Sequence, residues 1–438
     1  MATLKAVRGT RDLLPPETEL WNRIEATARE VFARYNFGEI RTPIFEDTGL
    51  FARSVGEETD IVSKEMYTWE DRARAQSEKT QSLTLRPENT AGVVRAYIEH
   101  GLGESGQLQK LYYIGPQFRR ERPQKGRYRQ FWQIGAEVIG PPSAGSESAL
   151  RDAEVLEMLA TLLDELGITG WTLELNSVGS AADRARYNDV LRAALVDVAP
   201  KMCGDCQRRA VTNPLRVLDC KVPEDQPIIE SLPKVGDSLG EDSKSHFAVV
   251  LAALDAAGVP YKLNQRLVRG LDYYTRTTFE FTHGGLGAQN ALLGGGRYDG
   301  LSEAIGGPKA PGIGFAIGLD RLVLTIEAQH RAQEQTQAAA PMAKVDAYVA
   351  PIGESLNAAA LVLARELRRA GLRVELGDGS FRLKKSFEAA DKIARRIVIL
   401  GEDEHQSGIL TVKDFTTGTQ TKVPRAELAR VLSELSGQ

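Results

Sequence analysis

Six cationic side chains crowd one short stretch of the chain. FRRERPQKGRYRQF, from Phe118 to Phe131, holds Arg119, Arg120, Arg122, Lys125, Arg127 and Arg129, with Glu121 the one acid among them. Like charges packed this closely repel, by on the order of 1 kcal/mol per pair at a protein surface. The whole chain is slightly acidic, at a formal net charge of -4. A local excess of positive charge in an acidic chain implies an anion that visits this turn.

The residues that follow the turn alternate in type. In QFWQIGAEVIG, strand periodicity puts Gln133, Gly135 and Glu137 on one face and Trp132, Ile134, Ala136 and Val138 on the other. The second face reads as core. The first offers an amide, a carboxylate and, at Gly135, room for a small ligand to approach the backbone. On the preceding KLYYIGPQF segment, Gly115 and Gln117 are in phase with Arg119. A solvated sheet face ending in a charged turn would show the same pattern.

Three more stretches have chemistry-bearing spacing. GIGFAIGLDRLVL puts Gly312, Gly314, Ala316 and Gly318 on one strand face, a smooth surface for a flat ring. Arg321 follows in the first turns of a helix, where free N–H groups and the helix dipole suit phosphate. Close helix–sheet packing also uses such glycines. LVRGLDYYTRTTFEF and LLGGGRYDGL supply Arg269, Tyr273, Tyr274 and Tyr298 beside glycine-rich turns. Phenols around a fixed cation suit a small polar ring, although buried core tyrosines look alike. In LRPENTA, Glu88 and Thr90 flank a proline-set turn and suit an ammonium group.

The totals narrow the setting. A chain of 438 residues implies two or three domains, and 42% hydrophobic with 26% charged residues is ordinary for a globular protein with a sizeable core. No apolar run reaches the roughly 18 residues of a membrane span, and the charged N-terminus has no signal-peptide pattern, so a cytoplasmic protein is expected. The phosphate loop GxxxxGK[ST], the GxGxxG fingerprint and HExxH are absent. Cys203-x-x-Cys206 with Cys220 resembles part of a zinc site. No fourth ligand stands nearby and His246 is distant, so the cysteines are read as free thiols, as in a reducing compartment, and no metal site is assigned.

These side chains need a scaffold. LWNRIEATAREVFARYNF is an amphipathic helix, stopped by Gly38, with Trp21, Ile24, Ala28, Val31, Phe32 and Tyr35 near one face. EIRTPIFE follows as a strand that Pro43 confines to an edge or interface. KLYYIGPQF and QFWQIGAEVIG form a long antiparallel hairpin around the basic turn. WTLELNSVG, TRTTFEFT and GIGFAIG add strands to one mixed sheet, and residues from about 180 to 257 read as a helical insertion. Residues 329–342 read as a linker low in large apolar residues. From 343 to 438, strand–helix alternation implies a small α/β domain with a largely parallel sheet.

Together these stretches resemble the histidyl-tRNA synthetases, class II aminoacyl-tRNA synthetases. RTPIFE is similar to the first class motif, which builds a dimer interface around a proline, here Pro43. FRRERPQKGRYRQF is similar to the second motif, GIGFAIGLDRL to the third, and LVRGLDYYTRT with LLGGGRYDGL to the two histidine-specific signatures. LKKSFEAADK, ILGE and TVKD resemble the anticodon-binding domain. The resemblance implies an α/β (α+β) fold: a mixed, mostly antiparallel sheet flanked by helices in a catalytic domain over 1–328, then an anticodon-binding domain over 343–438. It implies a homodimer that condenses L-histidine with ATP and magnesium, without a tightly bound cofactor, and charges tRNA(His). Arg119 would hold the α-phosphate, Glu121 the adenine side and Arg321 the γ-phosphate, with Gln124 and Arg127 facing ATP and the tRNA acceptor end. Arg269 would act as a cationic electrophile at the α-phosphate. Glu88, Thr90 and Gln133 would bind the α-amino group; Glu137 and Tyr274 would read the imidazole, with Tyr273 and Tyr298 lining the pocket. Asn89 belongs to the same histidine-binding stretch, where the family often has glycine, and Trp132 stands where smaller or polar residues are common. A regulatory relative that binds histidine without catalysis would lack the arginine signature and the last domain, both present here. A general RNA-binding module would leave the glycine-lined strand unexplained.

Overall fold

The computed structural model describes residues 3–56, 59–71, 80–124, 126–286, 290–334 and 344–436. The chain divides into two compact units, Met1–Thr336 and Gln337–Gln438. The first is built on eight strands: β1 (Gly38–Glu39), β2 (Gln109–Phe118), β3 (Gln130–Ile139), β4 (Trp171–Ser177), β5 (Tyr261–Leu263), β6 (Thr275–His283), β7 (Ala291–Arg297) and β8 (Gly312–Gly318). Their order is β1-β2-β3-β8-β7-β6-β4-β5. The outer pairs β1–β2 and β4–β5 run parallel; the five pairs between them are antiparallel.

The expected hairpin is β2–β3, registered from Gln109 opposite Ile139 to Phe118 opposite Gln130. The alternation of β3 sends Ile134, Ala136 and Val138 into the main core with residues of helices α1 (Glu17–Arg34) and α3 (Ala149–Glu165); α2 (Thr90–Glu99), which comes between them in the chain, packs Val94 and Tyr97 into a separate cluster. α1 buries Trp21, Ile24, Ala28, Val31 and Phe32, as its spacing predicts. It ends sooner than expected: Asn36 takes the left-handed conformation, at φ 62°, and Gly38 already opens β1. Asparagine tolerates that region better than other non-glycine residues.

EIRTPIFE is not one strand. Gly38–Glu39 joins the large sheet, while Phe45–Asp47 joins a separate three-stranded sheet with Tyr67–Asp71 and Gln81–Leu85. Pro43 lies in the break, where a missing N–H and a fixed φ interrupt any ladder. Its carbonyl accepts from Arg86 Nη1 at 3.3 Å.

The insertion has its own core. Helices α4 (Ala181–Leu195) and α5 (Gly204–Thr212), with short 3-10 turns, enclose Tyr187, Leu191, Cys206, Val217 and Cys220. Helix α6 (Glu241–Ala257) was expected within it but packs Val250 and Leu254 into the main core. A buried charge cluster fixes that side of the sheet: Arg297 pairs with Asp152 of α3 at 2.5 Å and with Asp299 at 2.9 Å, and His246 of α6 meets Asp152 at 2.8 Å. Helix α7 (Leu319–Glu334) runs through residues 329–334, which the sequence assigned to the linker. Their Ala, Gln, Glu and Arg are good helix formers that carry little apolar pattern. The rest of that linker, 335–342, lies outside the described residues.

The second unit is a five-stranded sheet. Ala347–Pro351 pairs in parallel with Val374–Leu376 and Arg396–Leu400, and Ile409–Asp414 and Gln420–Pro424 extend the sheet antiparallel. Helices Asn357–Arg369 and Leu383–Ile393 make the parallel crossovers, as the strand–helix alternation predicts.

Candidate active site

Strand register assembles a floor on one face of the large sheet. Gln133, Gly135 and Glu137 of β3 lie opposite Gly318, Ala316 and Gly314 of β8. Ala316 and Gly314 lie opposite Gly294 and Gly296 of β7, which face Glu280 and Thr278 of β6. Four central strands thus present glycine, alanine or polar residues here.

The glycines seat the protein's own side chains. A Cβ on Gly135 would strike the Tyr113 ring, one on Gly314 the Glu137 carboxylate, and one on Gly294 the Arg269 guanidinium. Cβ atoms on Gly312 and Gly296 would stand 2.5 Å from the Tyr298 ring and 2.8 Å from the Tyr274 ring. The expected bare surface at Gly312 and Gly314, and the expected ligand approach at Gly135, are therefore corrected: side chains fill those spaces. Ala316 and Gly318 do line an open cavity.

Two cavities adjoin above this floor. The larger, about 590 Å³, is walled by Arg119, Glu121, Arg127, Glu280 and Arg321 among others, within the roughly 300–1,000 Å³ usual for small-molecule pockets. The smaller, about 140 Å³, is walled by Glu88, Thr90, Tyr113, Tyr273, Tyr274 and Tyr298. Arg119, Gln133 and Arg269 line both.

Each wall has a local cause. Glu88 folds back over the start of α2, accepting from the N–H groups of Thr90 at 2.6 Å and Ala91 at 3.0 Å. Burial raises its pKa, and those bonds and the Arg119 charge pull it back. Arg119 is aimed by a bond from Nε to the Pro87 carbonyl at 2.8 Å and lies over the Phe131 ring. Arg269 pairs with Glu280 at 3.1 Å; burial is the largest influence and lowers its pKa, but the charge of Glu280 together with those of Tyr274, Asp219 and Tyr273 leaves it raised. Arg321 donates to the Ala291 carbonyl. Burial, then the charge of Arg127, lower its pKa, and the charges of Glu280 and Glu121 only partly offset that. At the basic turn, Glu121 accepts from Arg127 at 3.0 Å and stands 3.8 Å from Arg119.

Glu137 is the deepest polar group. It has no exposed surface, accepts from Thr90 Oγ1 at 2.8 Å and from the Tyr298 hydroxyl at 2.7 Å, and has the Tyr113 hydroxyl at 3.5 Å. Burial pushes its pKa up to about 8, with the Glu88 charge adding to the rise against these hydrogen bonds. Burial also raises the phenols of Tyr273, Tyr274 and Tyr298, so they remain hydroxyl donors at neutral pH. The three rings pack together, Tyr273 lying 4.8 Å from Tyr274 and 5.9 Å from Tyr298.

Most candidate residues therefore converge, but four do not line these walls. Asn89 is turned aside: its Oδ1 accepts from Thr42 at 2.6 Å, because successive residues at a helix start point in different directions. Glu137 sits one layer back, behind Thr90, Tyr113 and Tyr298. Gln124 pairs with Arg127 across the tip of the basic turn, at 3.1 and 2.9 Å, and Lys125 beside it lies outside the described residues. Pro43 belongs to the break described above. Two residues were missed. Tyr113 was in phase with Gly115 and Gln117, and Glu280 was the one acid of TRTTFEFT, set between Phe279 and Phe281.

Comparison with known proteins adds independent findings. A model of the family described as histidyl-tRNA synthetase matches residues 9–322, and one for an anticodon binding domain matches 346–435. The chain is 73% identical over 427 residues to a histidine–tRNA ligase of Koribacter versatilis, covering 97% of this chain and 95% of that protein. It is 54% identical over 435 residues to the histidine–tRNA ligase of Solibacter usitatus, covering 99% and 100%. Among solved structures, apo histidyl-tRNA synthetase of S. aureus superposes with a TM-score of 0.79 at 36% identity, over 98% of this chain and 100% of that one.

Proposed function

The chain belongs to the histidyl-tRNA synthetase family, and on that premise we propose how its two cavities divide the family's reaction. The protein is a histidine–tRNA ligase: it activates L-histidine with ATP to histidyl-adenylate, then transfers histidine to the 3′ end of tRNA(His), releasing AMP and pyrophosphate. The observation that carries the assignment of cavities is that Arg119 and Arg269 line both. Histidine takes the small cavity and ATP the large one, so the reacting carboxylate and α-phosphate meet at two fixed cations.

Glu88, Thr90 and Gln133 hold the α-amino group; Gln133 Oε1 is buried without a partner and supplies an acceptor. Glu137 forms the acceptor pole of the pocket. An imidazole N–H that replaces one of its hydroxyl donors finds a carboxyl group, while the Tyr274 phenol meets the other nitrogen. A ring lacking either group leaves a buried polar atom unpaired, which gives discrimination of ~10^4 or more without editing. In the first step a histidine carboxylate oxygen attacks the α-phosphorus and the bond to pyrophosphate breaks. Positioning and charge neutralisation by Arg119 and Arg269 lower that barrier. Arg321 receives the γ-phosphate, and Glu121 with Arg127 the adenine side and the tRNA end, together with Gln124.

The carboxylates on the large cavity are already paired: Glu121 with Arg127, Glu280 with Arg269, Asp320 with Arg11, and Asp219 with Lys221 and Arg216. They do not form a cage for a resident metal, so magnesium enters with ATP as part of that substrate. The cavity walls carry no His or Cys among the described residues, and transfer to tRNA proceeds without a side-chain base. Residues 343–438 read the anticodon. The exposed Ile44, Phe45 and Trp69 beside Pro43 support a homodimer through that face. No described helix is long and apolar enough to cross a membrane, and we place the enzyme in the cytoplasm with its tRNA.

The test is ATP–pyrophosphate exchange with each amino acid in turn. Exchange with histidine alone is the expected result. Silence with every amino acid, from folded protein that still binds histidine, overturns the catalytic reading.

A further inference from the structure

We propose that Cys203, Cys206, Cys220 and Asp225 form a binding site for a zinc-class divalent cation inside the helical insertion. The sequence lacked a fourth ligand, and the fold supplies it. The three Sγ atoms and a carboxylate oxygen of Asp225 all lie within 4.8 Å of one another. Cys206, Cys220 and Asp225 are buried and Cys203 is half-buried. His246, the distant candidate, is committed elsewhere, to Asp152.

Two of the spacings are already those of a coordination shell, and the rest close by about 1 Å or less around an ion. Tetrahedral zinc binds sulfur at about 2.3 Å and carboxylate oxygen at about 2.0–2.2 Å, which sets S···S edges near 3.8 Å and S···O edges near 3.5 Å. Cys203 Sγ and Cys220 Sγ stand 3.8 Å apart, and Cys220 Sγ lies 3.3 Å from Asp225 Oδ2. The local backbone is arranged to present these atoms. Cys203 is the residue before α5, so Cys203-x-x-Cys206 delivers two thiols from one helical turn. The Val222 N–H points at Cys220 Sγ at 3.4 Å, a contact that suits a thiolate. The Cys203 N–H fixes both Asp225 oxygens, at 3.1 and 3.2 Å.

A second observation asks for a cation. Asp225 is 2% exposed, yet no Lys, Arg or His forms an ion pair with it among the described residues. Its donors are the Cys203 amide and the Cys220 thiol. A buried carboxylate without a counter-charge is unfavourable by several kcal/mol, and a cation among these four ligands removes that imbalance. Three sulfurs and one oxygen select a borderline-soft ion such as zinc over magnesium or calcium.

The site also explains how the insertion touches the catalytic cavity. Asp219 and Lys221 flank Cys220 and both line the larger cavity. Arg216 of the same turn stands 3.8 Å from Asp219 and 3.9 Å from Asp60. A cation holding both sides of this turn fixes Asp219 and Lys221 at the cavity rim. The metal assignment itself does not depend on what the cavity binds.

The experiment uses the full-length chain, reduced, loaded with zinc and passed through a desalting column. About one zinc per chain, as four ligands of one tetrahedral site require, is the expected result by atomic emission. Cobalt put in place of zinc shows thiolate-to-cobalt charge transfer and intense tetrahedral visible bands. Cys206→Ser and Asp225→Ala weaken zinc at least about 100-fold in chelator competition, since even changes in the surrounding shell weaken metals 10–100-fold. If those variants fail to fold, the cobalt spectrum of the unaltered chain decides. The proposal is overturned if the desalted protein carries no stoichiometric zinc. It is equally overturned if cobalt gives only weak octahedral bands, or if all three thiols react with a thiol reagent equally fast with and without zinc.

Discussion

Replacing Glu137 by glutamine should make the protein more stable at neutral pH and a poorer enzyme. Glu137 is fully buried, and burial moves its pKa from the ordinary 4.5 to about 8. In that window the folded chain keeps a proton that the unfolded chain has released. The folded pKa is the higher one, so the contribution is fully present below about pH 4.5 and is lost as pH rises toward 8. Each unit removes about 1.4 kcal/mol, so on the order of 3 kcal/mol is gone by neutral pH. A glutamine of the same shape stays neutral throughout. Its amide can still pair with Thr90 and Tyr298, whose hydroxyls donate or accept. Urea unfolding of wild type and Glu137→Gln at several values from about pH 5 to 8 measures the difference. The gap should widen with pH in favour of the variant, by up to about 1.4 kcal/mol per unit. In exchange assays the KM for histidine should rise about tenfold, near the value of one hydrogen bond, because the amide that pairs with Thr90 and Tyr298 cannot also offer the imidazole the acid's arrangement of acceptor and donor. Parallel pH curves for the two proteins would refute the argument, because they would mean that Glu137 is not a proton-holding buried acid.

Other perturbations act on named contacts. Arg269→Ala should slow adenylate formation about 10^2–10^3-fold with little change in KM for histidine; near-normal single-turnover rates would remove its electrophile role. Gly312→Ala drives a methyl group into the Tyr298 ring and should destabilise by about 1–3 kcal/mol, with weaker histidine binding; calorimetry and exchange kinetics report both. Removing residues 344–438 should leave histidine-dependent exchange intact while tRNA charging falls sharply. Full charging by the truncated chain would contradict the anticodon assignment.

The chemistry-bearing residues were more legible than their contacts. Periodicity sorted β3 correctly, because a half-buried strand must alternate, and it placed the apolar face of α1 for the same reason. It did not show that the small residues of β7 and β8 serve as seats, since a glycine leaves no mark of what lies over it. Asn89 turns from the cavities and EIRTPIFE breaks at Pro43, because local sequence shows neither the fan of side chains at a helix start nor a strand break. Helix α7 outran its apolar pattern because Ala, Gln and Glu propagate a helix without one. Asp225 was hidden among ordinary surface acids of VPEDQP, because only the folded insertion brings it to Cys203.

The seated side chains have an evolutionary consequence. Tyr113, Glu137, Tyr274, Tyr298 and Arg269 each depend on a glycine of a neighbouring strand, so a change in either guest or host is felt by both. Enlarging a host evicts its guest, and shrinking a guest leaves a hole over its host. Re-cutting this pocket for another amino acid therefore requires simultaneous changes at both members, with strong epistasis between them. A lineage exploring one substitution at a time meets a loss on every first step, which isolates this specificity from its neighbours in sequence space.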